Sequence, residues 1–178
     1  MRLLPLAFAV LSMFGALAPA SAEPALAGCD AFVEKLRAEA RDLQVDFSHA
    51  LIVSRAKNES EVFDISTKAE VDGTLTCRHE ALARFEAHIA EPATARATTA
   101  FERLQAAALR AALGWDAGKS RAQVQEMAGD AKEYLAASRE RGDVYVAGKT
   151  EEHVPGGVSL GLIYTEVDRA FAIVGPQE

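Results

Sequence analysis

Gly157-Val-Ser-Leu-Gly161 has the G-x-S-x-G spacing of a nucleophile elbow, in which a strained strand-to-helix turn lifts a serine toward a histidine base. The surrounding residues oppose that chemistry. "LGLIYTEV" after Ser159 reads as strand, with Val158, Leu160, Leu162 and Tyr164 alternating. His49, His79, His88 and His153 all precede Ser159, which excludes the order Ser…Asp…His of that fold. Gly114-Trp-Asp-Ala-Gly-Lys-Ser120 resembles a phosphate loop but has three residues between its glycines where four are needed, and a helical pattern before it. It reads as a helix–helix turn with Ser120 as cap.

His79-Glu80 opens like H-E-x-x-H, but Ala83 stands at the second ligand position, and His88 falls on the far side of a helix from His79. Each histidine is therefore read as structural or exposed. A site built from distant residues, such as His49 with His153 and a carboxylate, is left for the fold to test. Arg141-Gly-Asp143 reads as a turn, Trp115 as a packing residue, and the charge pairs of "EKLRAEARD" (34–42) as a solvated helix face. No catalytic, cofactor-binding or metal-ligating set is assigned.

The two cysteines carry the clearest chemistry. "LAGC" (26–29) resembles a bacterial lipobox, where cleavage before a cysteine precedes lipid attachment. That signal normally abuts the apolar leader, whereas two prolines and Glu23 intervene here. Pairing Cys29 with Cys77 is the favoured alternative, because an even cysteine count suits an oxidising compartment. The bond would close a loop of about 48 residues and tie the first helix to the sheet edge.

The leader itself is legible. Arg2, the uncharged run Leu3–Ala18, and Ala20 and Ala22 at the −3 and −1 positions form a signal peptide, with cleavage after Ala22 and residues 1–22 removed. Residues 23–178 then make one domain, with no later run apolar and long enough to span a bilayer. Loss of Arg2 makes the formal net charge of −7 one unit more negative. No basic stripe for nucleic acid is visible.

Apolar residues at Phe32, Val33, Leu36, Ala40 and Leu43 predict a helix over 30–43 with Asp30 as N-cap. Strands are expected at 49–56, 61–69 and 74–77, with "KNES" and Asp72-Gly73 as turns. Leu82, Phe85 and Ile89 predict a helix over 79–90. Helices over 93–113 and from Ser120 to about Ser138 form a hairpin, the second opened by the capping box "SRAQ" and burying Val124, Met127, Ala131, Tyr134 and Leu135. Strands return at 143–148, 157–167 and 170–175, with a tight connection at Asp168-Arg169. The fold class is α+β: an antiparallel sheet of about five to six strands, an N-terminal helix and a central helical hairpin packed on one face.

The expected function is that of a periplasmic or secreted bacterial envelope protein: a non-enzymatic binding, adaptor or inhibitor module stabilised by one disulfide. Its partner would be another envelope protein or a small ligand. A small hydrolase or metal-dependent enzyme with dispersed His, Asp and Ser residues is the first alternative. A lipoprotein anchored at Cys29 is the second.

Overall fold

The computed structural model describes residues 26–55 and 58–176. The leader 1–22, with its cleavage position at Ala22, lies outside the described residues, as do Ala56, the end of the first expected strand, and Lys57 of the "KNES" connection. In chain order the elements are α1 (Cys29–Glu39), a 3-10 turn (Arg41–Leu43), β1 (Asp46–Arg55), β2 (Asn58–Ser66), β3 (Asp72–Arg78), β4 (Ala81–Ala90), α2 (Ala95–Leu113), α3 (Ala117–Arg141), β5 (Ala147–Val154), β6 (Val158–Thr165) and β7 (Asp168–Val174). The strands form one antiparallel sheet in the order β1-β2-β3-β4-β7-β6-β5, and the class is α+β.

The seventh strand comes from the segment expected as a helix. Residues 81–90 are β4, and a β-bulge explains the misreading. Thr76 pairs with Arg84 but Cys77 pairs with Leu82, so Ala83 is an extra residue. The bulge turns Leu82 and Phe85 both toward the core, three apart, in imitation of a helical face. Beyond it Phe85, Ala87 and Ile89 alternate inward at the period of a strand. His79 and Glu80 make the β3–β4 turn with φ of 50° and 64°.

Other boundaries move for local reasons. Asp72 and Gly73 lie within β3, and the chain reverses over 67–71, where the Thr67 hydroxyl accepts from the Ala69 and Val71 amides. Gly28 rather than Asp30 stands at the N-cap of α1, and Asp30 adds its charge in the first turn. Asp116, not Ser120, caps α3 through the Lys119 amide at 2.8 Å, and these amide contacts hold its carboxyl below its ordinary range. Ser120 is buried one turn later and donates to the Asp116 carbonyl. Tyr134, expected inside, is 55% exposed. Gly142 ends α3 in the left-handed region and Asp143 binds Ser138 and Arg141, so β5 starts at Ala147 rather than at 143. The β6–β7 turn falls at Glu166-Val167, where Thr165 accepts from the next amides, and not at Asp168-Arg169.

The helices cover one face of the sheet. Phe32 of α1 meets Phe85 edge-on at 5.4 Å, and Phe85 meets Phe171 of β7 at 6.4 Å. The disulfide joins Cys29 to Cys77, both buried, and so ties α1 to β3. β3 is an interior strand, so the bond reaches past the sheet edge expected from sequence. The preceding residues are stitched in as well: the Ala27 amide donates to Ala112 and the Cys29 amide to Glu80. At the other end of β4, Glu91 holds Arg169, whose guanidinium lies 4.9 Å from the Tyr164 ring centre. Trp115 packs against the core at the α2–α3 turn, as expected, with Lys119 Nζ 4.0 Å from its ring centre.

Candidate functional site

The four histidines lie on β1 (His49), the β3–β4 turn (His79), β4 (His88) and β5 (His153). β1 and β5 are opposite edges of the sheet, so His49 and His153 cannot share a site. Among the described residues no three His, Cys, Asp or Glu side chains stand close enough to hold a metal ion.

One pair does meet. Ser159 lies directly across from His153 in the β5–β6 ladder, with Oγ 2.9 Å from Nδ1. It sits mid-strand, not on an elbow, and β6 is paired on both sides, which commits nearby amides to the sheet rather than to an oxyanion. The carboxylate next along β5, Glu151, is held by Lys149 at 2.9 Å, which keeps its pKa below the ordinary range.

These residues belong to the sheet face away from the helices, where β4 and β5 repeat one pattern. Arg84, Glu86 and His88 alternate along β4, and Lys149, Glu151 and His153 along β5, with opposite chain sense. Gly161, Ala170 and Ala172 form a shallow floor between them, in a depression of about 200 Å³. Arg84 pairs with Glu86 at 2.6 Å, so both carboxylates face a cation of their own strand. The face has the character of a self-neutralised, solvated surface.

The larger concavity lies on the outer side of the helical layer. The exposed side of α2 supplies its floor through Thr99, Arg103, Ala106 and Arg110. The end of α1 and the 3-10 turn form one wall and Ala117, Arg121, Val124 and Gln125 of α3 the other, around about 510 Å³. A second hollow of about 450 Å³ shares Asp42, Thr99 and Arg103 and continues along α2 to Arg96 and Lys68. The groove is long because alanine occupies its floor and both walls, at Ala40, Ala106, Ala107 and Ala117.

Five cations and three carboxylates line this groove in a chain whose net charge is −7. Arg110 pairs with Glu39 at 2.6 Å in a half-buried contact, and Arg103 pairs with Asp42 in an exposed one. Arg96 donates to the Lys68 carbonyl. Arg121, on the α3 wall, enters none of the ion pairs formed among the described residues. Sequence reasoning missed these arginines. Arg96, Arg103 and Arg110 are seven residues apart, so each lies only about 20° off a straight row along the helix. That spacing on a predicted helix was the available signal.

Behind the other side of α3, Glu152 of β5 accepts from Gln123 Nε2 at 2.6 Å while burial, and then the charges of Glu126 and Asp130, push its pKa up. A carboxyl with a raised folded pKa favours the fold most when protonated, and that contribution is lost as pH rises through the folded pKa. Glu152→Gln keeps an acceptor for Gln123 and removes the repulsion. It is expected to raise the melting temperature at pH 7.5, with the difference from wild type closing toward pH 4, in paired thermal melts.

Compared with known protein families, curated proteins and solved structures, the chain matches none.

Proposed function

We propose that this chain is an exported, non-enzymatic binding module of a bacterial envelope, and that it holds a partner protein in the groove above α2. The groove carries the reading: it encloses about 510 Å³, it is built by three separate helical segments, and it places cations where the rest of the chain is acidic. The leader pattern of residues 1–22 supports export. The disulfide supports an oxidising compartment such as the periplasm. Among the described residues no helix is long and apolar enough to cross a membrane. The lipid-anchor alternative is disfavoured because the Cys29 sulfur is bonded to Cys77 and buried.

Selection of random displayed peptides against the immobilised domain tests this without presupposing ligand charge. Binders are expected to compete with one another and to be lost on Ala106→Trp, which fills the floor of the groove, and to be retained on Ser159→Ala. Binders indifferent to Ala106→Trp would sink the proposal.

The hydrolase alternative keeps one observation, the Ser159–His153 contact. Labelling by a fluorophosphonate probe, abolished by Ser159→Ala, would favour it. No labelling is the expected result.

A further inference from the structure

We infer that the groove accepts an acidic α-helix of a partner protein, laid along α2 with its carboxylates against Arg96, Arg103 and Arg121. The inference rests on the groove being the binding site and adds the class of guest. The arginine row sets the first requirement. Arg96 and Arg103 stand seven residues apart on α2, about 10.5 Å, and a helix alongside presents its own side chains at that interval when acids stand at i and i+7; Arg121 faces the groove from the α3 wall.

The walls set the second requirement. Three of the lining segments are helical, and in the 67–71 turn that completes the hollow beside Arg96 the Lys68 carbonyl already accepts from Arg96, so no sheet edge is offered to an extended peptide. A helical guest brings its own backbone satisfied. Alanines at positions 40, 106, 107 and 117 permit the close axial approach that helix packing needs.

Charge selects the sign. Arg121 has no internal ion partner among the described residues, and the Arg103–Asp42 pair is more than half exposed on both sides, so exchanging Asp42 for a guest carboxylate costs little. Arg110–Glu39 is less exposed and holds α1 in place. A small anion fits less well, because the groove stays open along its length and no cation at its base is buried.

Three rhodamine-labelled, Ala-rich helical peptides test the inference by fluorescence anisotropy with the disulfide-bonded domain. One carries Glu at two positions seven apart, the second Gln there, the third Lys. The Glu peptide is expected to bind about tenfold or more tightly than the others, and to weaken with added salt. Arg96→Glu and Arg121→Glu should each weaken it by roughly tenfold, while the pair of reversals should turn preference toward the Lys peptide. Arg121→Gln, the milder change, should give an intermediate loss. Equal binding of the Glu and Gln peptides, both lost on Ala106→Trp, would overturn the acidic preference and leave the groove standing. Failure of the Glu peptide to depend on Ala106→Trp would overturn both.

Discussion

Replacing Cys29 and Cys77 together by alanine is expected to lower the free energy of unfolding by about 4 kcal/mol. The bond closes a loop of 48 residues, and removing such a cross-link frees the unfolded chain by roughly that amount on chain-entropy grounds. Deleting two buried sulfurs also leaves a small cavity, which adds to the loss. The whole stability of a domain of this size is about 5–15 kcal/mol, so the variant should be measurably unfolded at lower urea concentrations. Urea titration of wild type, reduced wild type and the double variant checks it. A change below about 1 kcal/mol would contradict a stabilising role for the bond. Two free thiols in the intact mass of the protein purified without reductant would contradict the bond itself.

Gly148→Val should be nearly as damaging, about 3 kcal/mol, at the upper end of the overpacking range. Gly148 is where α3 lies on the β5 backbone. A Cβ there would stand 1.9 Å from the Ala131 carbonyl oxygen and 2.5 Å from the Leu135 nitrogen. Both are helix backbone atoms that no rotamer change can move, so α3 must lift away from the strand. Gly161→Ala supplies the contrast. An added Cβ meets nothing within 4 Å there, and its melting temperature should stay within a few degrees of wild type. If the two substitutions cost the same, the close approach of α3 is not what glycine 148 provides.

What the sequence made legible follows the range of each interaction. Ala-rich α2 and its closing Gly114 depend on neighbours along the chain and match the expected bounds closely, whereas α1 ends at Glu39 and the expected helix to Leu43 runs on into a 3-10 turn. The cysteine pairing was legible because a chain with two thiols leaves each one partner. β4 was not, because a bulge is set by strand pairing. Only the slip between Thr76–Arg84 and Cys77–Leu82 shows that Leu82 and Phe85 share a face without being helical. Asp116 and Ser120 are both good caps, and the chain uses the earlier one. The groove was least legible, since α1, α2 and α3 each contribute a few ordinary residues and only their packing makes a concavity. The Ser159–His153 contact was hidden for a similar reason. Chain order rules out one known arrangement, but a hairpin brings residues together in either order.

The position of β7 bears on how the molecule assembles. It follows the other six described strands in the chain, yet it lies inside the sheet, between β4 and β6. The first half, α1 and β1 to β4 with the disulfide, can gather through neighbouring hairpins as it emerges. The β5–β6 hairpin has no docked place in the sheet until residues 168–174 arrive and zip both halves together. Until then β4 and β6 both present open edges, the kind that recruit other chains. Residues 168–174 therefore join the two halves of the sheet, and a chain truncated before Asp168 would leave the β4 and β6 edges unpaired.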